Sequence, residues 1–259
     1  MTPSGLPHIQ QGTGAPLVVI PGLSGRRGSP VRLREWMQRQ EIVDFVGIRE
    51  VWSIDRRHDL SPGITIAEIA ADYASTIESL FDEPIDIMGI STGGSIALQL
   101  AADFPHLVRR LVLVSSAHRL SDQGRETQRE VAALLRKGQA RRAASVFLAN
   151  TGSTRLDHAV RGWAGLIAPR AVVGHLDPDL LAILDAEDGF DLEARLATIE
   201  TRTLIAGGEH DGYYSSALFE STSQRMPNAQ VTIYPGAGHL GVKGNPRLAR
   251  AILTFLEAA

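Results

Sequence analysis

Short apolar segments alternate with longer amphipathic stretches along most of this chain. Six segments rich in aliphatic and β-branched residues occur at 17–20, 50–54, 85–90, 111–114, 203–206 and 230–234. Segments of this length and composition predict buried strands, and a shorter edge strand is predicted near residues 8–10. Most of the segments are continuously apolar rather than alternating, which is typical of a parallel sheet that is covered on both faces.

The stretches between these segments predict helices. Apolar residues recur at helical spacing over 65–80: Ile66, Ile69, Ala70, Tyr73, Ile77 and Leu80. Ser29 followed by Pro30 predicts the start of another helix, which fades near Gly47. Further helices are predicted after residue 91 and at 215–225 and 246–256. The sequence therefore predicts the α/β class, with a mostly parallel central sheet covered by helices on both faces.

Residues 119–199 interrupt this alternation. They predict helices at 126–137, 140–149, 156–167 and 178–186, with no convincing strand between them, and Asp191 begins a further helix as its cap. We expect a helical cap, or lid, at 119–190, inserted into a core formed by 1–118 and 191–259. Four large apolar residues are expected to pack this cap against the core: Phe147, Trp163, Leu166 and Ile167.

Composition narrows the classes of partner. The 259 residues carry a net charge of −3 with no cysteine, so neither nucleic-acid binding, nor a disulfide framework, nor a thiolate metal site is indicated. No apolar stretch reaches the roughly 18 residues that span a membrane, and residues 1–11 lack the pattern of a signal peptide. We expect a soluble, cytoplasmic protein that acts on a small molecule without binding a membrane. Its oligomeric state stays open.

A short motif joins the strand at 85–90 to the helix that follows. Gly89, Ser91 and Gly93 form the pattern G-x-S-x-G, in which a sharp strand-to-helix turn exposes the serine hydroxyl. Glycine fits two residues to either side because larger side chains would collide with neighbouring backbone. The alternative is an ordinary glycine-rich turn, but few such turns have a buried strand before them and a helix after them. The motif predicts a nucleophilic serine.

A serine hydroxyl needs a base within hydrogen-bond reach and an acid that orients the base. Two loops follow the last two predicted strands, and they carry Asp211 and His239, in the order Ser, Asp, His that this turn predicts. Each residue alone could equally be a helix cap or a solvated side chain. Glu209 is a competing acid, and we favour Asp211 because it lies deeper in its loop.

Four stretches together resemble the α/β-hydrolases of the esterase, lactonase and cofactor-free peroxidase kind, at 20–25, 88–94, 204–211 and 236–239. This resemblance implies that Ser91 is the nucleophile, Asp211 the acid and His239 the base. It also implies an oxyanion hole made by the backbone N–H groups of Leu23 and Thr92, and no cofactor.

Two departures from the family concern the site. Pro21 stands where the family often has His, and Gly212, Tyr213 and Tyr214 follow the acid in place of an apolar residue and Pro. We expect the oxyanion hole to survive the first, since its donor is a backbone N–H farther along, and the second to shape the mouth of the pocket.

Other motifs are weaker. Residues 236–241 fit G-x-G-x-x-G, but no βαβ unit with a later acid follows, so nucleotide binding is not expected. Glu209 and His210 beside Asp211 suggest a metal, but no second group of ligands has suitable spacing, and no metal is expected. Arg26 and Arg27 either grip an anionic group of the substrate or belong to a solvated loop.

The sequence as a whole predicts a serine hydrolase that cleaves a small to medium, largely apolar carboxylic ester or lactone through an acyl-enzyme. Hydrolysis of a carbon–carbon bond or a thioester, or perhydrolysis, would use the same residues and stays open. A ligand receptor on a hydrolase fold is the alternative of another class. Serine at position 91 disfavours dehalogenases and epoxide hydrolases with an aspartate nucleophile.

Overall fold

The computed structural model of the chain describes residues 5–23, 31–174 and 177–258. Within these ranges the strands are β1 (His8–Gln11), β2 (Ala15–Ile20), β3 (Arg49–Ile54), β4 (Ile85–Ile90), β5 (Val108–Val114), β6 (Arg202–Gly208) and β7 (Ala229–Tyr234). They form one sheet in the order β1-β3-β2-β4-β5-β6-β7. β1 is antiparallel to β3, and every other neighbouring pair is parallel. The predicted sheet, including its weak edge strand, is confirmed.

The helices of the described ranges are α1 (Val31–Ile42), α2 (Ile66–Leu80), α3 (Thr92–Asp103), α4 (Asp122–Arg136), α5 (Ala140–Ala149), α6 (Arg155–Ile167), α7 (Pro169–Val173), α8 (Pro178–Asp188), α9 (Ser216–Arg225) and α10 (Pro246–Glu257). The predicted helices are confirmed to within a few residues, and α7 is an addition. None of these helices combines the length and the apolar character needed to cross a bilayer.

The two faces of the sheet carry separate apolar cores. Val18 and Ile20 of β2 face a core to which α2, α3, α4 and α8 contribute. Leu17 and Val19 face the opposite core, with α1 and α10. This alternation follows from the two-residue period of a strand, and it confirms that helices cover both faces.

The strand order changes direction next to β2. β3 pairs with one side of β2 and β4 pairs with its other side. Loops that follow two such strands diverge and leave a crevice at the carboxyl edge of the sheet. The loop that begins at Pro21 and the turn at Ser91 border this crevice, and β6 and β7 end at the same edge.

Local signals fix several helix ends. The Thr65 side chain accepts the N–H of Glu68, whose carboxylate in turn accepts the N–H of Thr65, so α2 begins with a capping box. The side chain of Asp191 accepts the N–H of Glu193 at 2.9 Å, as the predicted cap does, but the helix that follows is a 3-10 helix over Glu193–Thr198. Ser29 and Pro30, predicted to start α1, lie outside the described residues.

Residues 119–190, which we name the helical segment, contain α4 to α8 and separate β5 from β6. Its two ends lie together: Arg119 forms an isolated antiparallel bridge with Asp191, and the N–H of Leu192 donates to the His118 carbonyl at 3.0 Å. The helical segment therefore begins and ends at neighbouring points beside the sheet.

The packing of α6 differs from the prediction. Phe147 of α5 packs against the core as expected, but Trp163 is 68% exposed and Ile167 is 77% exposed. α6 approaches α5 through its glycine face, where a Cβ on Gly165 would lie 2.4 Å from the Ala144 carbonyl oxygen. The small residues thus permit the close helix contact, and the apolar stripe points outward. The predicted packing of Trp163 and Ile167 against the core is wrong.

Candidate active site

Ser91 occupies a strained turn between β4 and α3. Its backbone has φ 51° and ψ −124°, a conformation that non-glycine residues rarely adopt. The surrounding backbone leaves no space for side chains: a Cβ on Gly89 would lie 2.5 Å from the Gly93 carbonyl oxygen. A Cβ on Gly93 would lie 2.1 Å from the Ile20 carbonyl oxygen. The spacing of the motif therefore has the steric cause expected from the sequence.

A third glycine, just outside the motif, is equally constrained. A Cβ on Gly94 would lie 2.4 Å from the Cβ of Ser116, which follows β5. Because α3 lies this close to the end of β5, its first turn is packed between two strand ends. The Ser91 N–H donates to the Val114 carbonyl at 2.9 Å and fixes the turn from the same side.

His239 links the serine to the acid. Its Nε2 lies 2.9 Å from Ser91 Oγ, and its Nδ1 lies 2.8 Å from Asp211 Oδ2 and 3.0 Å from Asp211 Oδ1. Both side chains are almost fully buried. A carboxylate at Nδ1 favours the tautomer that carries its proton there, which leaves the Nε2 lone pair to accept the serine proton. The structure thus brings the three residues together.

The loop after β6 selects Asp211 over Glu209. Asp211 Oδ1 accepts the backbone N–H groups of Tyr213 at 2.8 Å and Tyr214 at 3.0 Å, which hold the carboxylate toward His239. Glu209 is half-exposed and accepts the N–H of Gly236 at 2.8 Å instead. Asp211 therefore binds His239, whereas Glu209, two residues earlier, binds Gly236.

The tyrosines after Asp211 enclose the imidazole. The Tyr214 ring lies nearly parallel to the His239 ring, with centroids 6.0 Å apart and an interplanar angle of 16°. The Tyr213 ring is tilted, with centroids 5.1 Å apart. Tyr213 also reaches α5, where its hydroxyl donates to the Phe147 carbonyl at 3.0 Å. The two tyrosines, which depart from the family pattern, thus shield His239 from water.

The two predicted oxyanion donors lie on either side of Ser91. Thr92 is the first residue of α3, so its N–H lies in the first turn, at the positive end of the helix dipole. On the other side, a Cβ on Gly22 would lie 3.4 Å from the Ser91 Cβ, so the loop after β2 touches the serine. Leu23 is the next residue, and it lines the same pocket as Ser91 and Thr92.

A narrow pocket of about 10 Å³ lies over Ser91, which is room for about one water molecule. It is far smaller than typical ligand sites of roughly 300–1,000 Å³, which favours a small group beside the serine. Besides Ser91 and His239, its lining comprises Leu23, Thr92, Leu120, Gln128, Phe147, Glu187, Tyr213 and Tyr214. Leu120, Phe147, Gln128 and Glu187 come from the helical segment, and the last two add polar groups that sequence reasoning missed.

Glu187 of α8 is a buried carboxyl, 2% exposed, in this lining. Its Oε2 accepts the Thr92 hydroxyl at 2.7 Å, and its Oε1 accepts the hydroxyls of Tyr214 at 2.8 Å and Ser95 at 3.1 Å. Burial raises the pKa of Glu187, and these hydrogen bonds oppose the rise. Its position seven residues after Leu180, on the buried face of α8, is the sequence signal that could have revealed it.

A cluster of possible metal ligands lies away from this pocket. His118, Asp191 and Glu193 present ligand atoms within 4.8 Å of one another, at the base of the helical segment. Their side chains already have protein partners: His118 Nδ1 lies 2.8 Å from the Thr222 hydroxyl, Asp191 caps Glu193, and Glu193 pairs with Arg225 at 2.9 Å. The positions of these residues therefore require no ion.

The glycines of the stretch 236–241 have a structural role. Gly236 has φ 69°, and a Cβ on Gly238 would lie 2.5 Å from the Gly152 carbonyl oxygen. These glycines thus shape the loop that presents His239 beside the helical segment. Arg26 and Arg27, the remaining candidates from the sequence, lie outside the described residues.

Comparison with known proteins covers nearly the whole chain. A sequence model of the alpha/beta hydrolase family matches residues 17–251. Pyrrolizixenacetamide deacetylase of Xenorhabdus hominickii is 29% identical over 206 residues, which cover 75% of this chain and 76% of that protein.

Solved structures give the same fold. MGS-M2, an alpha/beta hydrolase enzyme from a Medee basin deep-sea metagenome, matches with a TM-score of 0.81 at 19% identity, over 98% of this chain and 94% of that one. The enol-lactonase of Burkholderia xenovorans LB400 matches with a TM-score of 0.78 at 20% identity, over 98% and 96%. At these identities the likeness concerns the architecture alone.

Proposed function

The chain belongs to the alpha/beta hydrolase family, and we propose that it is a serine hydrolase that cleaves a small to medium, largely apolar carboxylic ester or lactone through an acyl-enzyme. The observation that carries the proposal is the unbroken series of contacts from Ser91 Oγ through His239 to Asp211. The small pocket above Ser91 favours the small end of this range, at least for the acyl group.

The first half of the reaction forms the acyl-enzyme. Ser91 Oγ attacks the carbonyl carbon of the substrate while His239 Nε2 takes the serine proton. Asp211 stabilises the imidazolium that results and keeps its ring in register. The tetrahedral intermediate then collapses, the bond to the leaving alcohol breaks, and His239 returns the proton to the leaving oxygen.

The negative charge that develops on the carbonyl oxygen needs donors in place beforehand. In our proposal the N–H groups of Leu23 and Thr92 supply them, and the positive end of α3 adds to their effect. Each such donor contributes roughly 3 kcal/mol to stabilisation of the transition state.

The second half restores the enzyme. Water takes the place of the departed alcohol, His239 removes its proton, and the resulting hydroxide equivalent attacks the acyl carbon. Collapse releases the carboxylic acid and returns the proton to Ser91 Oγ. For a lactone, the two products are one molecule, because the alcohol and the acid stay joined.

We also propose that the helical segment is a cap over this site. It supplies Phe147, Gln128 and Glu187 to the pocket, and its α5 accepts the Tyr213 hydroxyl beside His239. A cap in this position excludes bulk water and limits the length of the acyl group.

The decisive test labels the protein with a fluorophosphonate probe, wild type beside Ser91→Ala. The same samples are assayed with p-nitrophenyl esters of increasing acyl length. We expect labelling at Ser91 that is lost in the variant, and turnover that falls beyond short acyl chains. A folded wild type that is not labelled would contradict the proposal, and labelling without any turnover would favour the receptor.

An acetamide is a second candidate substrate class. The relative from Xenorhabdus hominickii is, by its name, a deacetylase of an acetamide compound, and the narrow pocket over Ser91 favours a small acyl group. An amide needs the same attack, but the leaving amine depends more on the proton that His239 returns. Parallel assays of p-nitrophenyl acetate and p-nitroacetanilide distinguish the two classes.

A further inference from the structure

Glu187, a carboxyl group of the helical segment, contacts both the helix that follows Ser91 and the loop that carries Asp211. Glu187 binds Thr92 and Ser95 on α3, directly after Ser91, and it binds Tyr214 in the loop of Asp211. We propose that Glu187 is a positioning residue, through which the packing of α8 fixes the geometry of Ser91 and His239. This inference rests on the proposed function, because it gives Glu187 a role in that reaction.

On the nucleophile side, Glu187 acts through Thr92. The Thr92 hydroxyl donates to Glu187 Oε2 at 2.7 Å, and the N–H of the same residue is the proposed oxyanion donor. Ser95, one turn along α3, donates to the other carboxylate oxygen at 3.1 Å. Two bonds from one rigid group to one helical turn fix the direction of that turn, and hence of its N–H groups, relative to α8.

On the base side, Glu187 acts through Tyr214. The Tyr214 hydroxyl donates to Glu187 at 2.8 Å, while its backbone N–H donates to Asp211 and its ring lies along His239. Burial and the charge of Glu187 raise the pKa of Tyr214 well above its ordinary value, so the phenol stays a donor. A displacement of the Tyr214 side chain would therefore also move Asp211 and His239.

A carboxyl at this place is poorly explained by packing. A buried ionic cluster generally contributes no more to stability than well-packed apolar side chains that replace all its members. The buried Arg56 interacts with the charge of Glu187, but it interacts more strongly with Asp177 and Asp179. What a carboxyl does supply is acceptors for three hydroxyl donors on two catalytic elements, which an apolar residue cannot do.

The test compares Glu187→Gln and Glu187→Met with Asp185→Asn as a matched control on the same helix. Asp185 pairs with Arg136 on the surface of the helical segment, and both side chains are half-exposed. For each protein we would measure kcat and KM with p-nitrophenyl acetate, the rate of fluorophosphonate labelling and the melting temperature.

We expect kcat and the labelling rate to fall about tenfold or more in both Glu187 variants, with KM changed less than about threefold. The melting temperature of Glu187→Gln, whose amide oxygen still accepts a hydroxyl, should stay near that of the wild type, which separates positioning from loss of folding. Glu187→Met leaves three buried hydroxyls without their acceptor and should melt at a lower temperature. Asp185→Asn should keep the wild-type kcat, KM and labelling rate. Tyr214→Phe should show part of the loss in kcat and labelling rate. The double variant with Glu187→Gln should lose less activity than the product of the two single losses.

Each failure has its own signature. If the wild type is not labelled at Ser91, the proposed function fails and the inference falls with it. If the wild type is labelled and the Glu187 variants react at the wild-type rate, the inference alone is overturned. If the Glu187 variants do not fold, Tyr214→Phe and Thr92→Val decide: wild-type kcat and labelling rates in both folded variants overturn the inference.

Discussion

Gly93 and Ile20 lie in contact across the sheet edge, so close that a Cβ on Gly93 would stand 2.1 Å from the Ile20 carbonyl oxygen. The first turn of α3 therefore rests directly on the end of β2. This contact sets the distance between the turn that holds Ser91 and the loop that holds Leu23.

We expect Gly93→Ala to abolish activity because the added methyl must push these two elements apart. The displaced backbone would also lower the free energy of unfolding by about 1–3 kcal/mol. Ester turnover and urea unfolding measure the two effects. Gly47→Ala is the matched control: a Cβ there meets nothing within 4 Å, so the variant should keep wild-type activity. Full activity in Gly93→Ala would contradict the role of this contact.

The two acids of the loop after β6 provide a second prediction. Asp211→Asn should lower kcat by roughly 10³–10⁴-fold, because an amide no longer stabilises the imidazolium and disturbs the tautomer of His239. Glu209→Gln should stay within about twofold of the wild type, since Glu209 is half-exposed and bonds Gly236.

Kinetics of both variants with one ester, beside circular dichroism spectra, would check the pair. A large loss in Glu209→Gln with little loss in Asp211→Asn would reverse the assignment of the acid.

These residues illustrate what the sequence can predict. The role of Gly89 is local, because its neighbours Gly93 and Gly94 belong to the same strand-to-helix turn, whereas Gly93 also meets the distant Ile20. Asp211 and His239 are distant, but parallel strands end at one edge of the sheet, so the strand order alone brings their loops together.

The spacing of α8 could place Glu187 on a buried face, but it could not reveal the partners of Glu187. Its partners lie at residues 92–95 and at 214, and they meet only once α8 is seated over the sheet. The exposure of Trp163 escapes prediction for a related reason. An apolar stripe on a helix does not say which face a neighbour will take, and in α6 the close contact through Gly165 prevails.

A buried ion cluster at the far end of the sheet leads to a stability prediction. Asp86 of β4 is fully buried and accepts hydrogen bonds from Arg49 of β3 and Arg109 of β5. Within the described residues Asp86 is the ion-pair partner of the buried Arg49, so Asp86→Asn should lower the free energy of unfolding by about 3 kcal/mol or more. The remaining folded protein should keep its kcat, because Asp86 lies near the start of β4 and Ser91 follows its end.

Urea unfolding of Asp86→Asn checks this expectation. Asp185→Asn serves as control, since its half-exposed pair with Arg136 should contribute no more than about 1 kcal/mol. Equal losses in the two variants would show that burial does not distinguish the pairs.

The buried carboxyl of Glu187 should also make stability depend on pH. Burial raises its pKa above the ordinary value of 4.5, so the folded protein holds this proton more tightly than the unfolded chain does. The stabilisation that comes from this more tightly held proton is therefore fully present below about pH 4.5 and is lost as the pH rises through the raised pKa.

Glu187→Gln removes the titration, so its free energy of unfolding relative to the wild type should increase with pH over this window and then level off. Urea unfolding of both proteins between pH 4.5 and 8 measures the difference, in which all other titrating groups cancel. A difference that stays constant over this range would mean that the three hydroxyl donors and Arg56 offset the cost of burial completely.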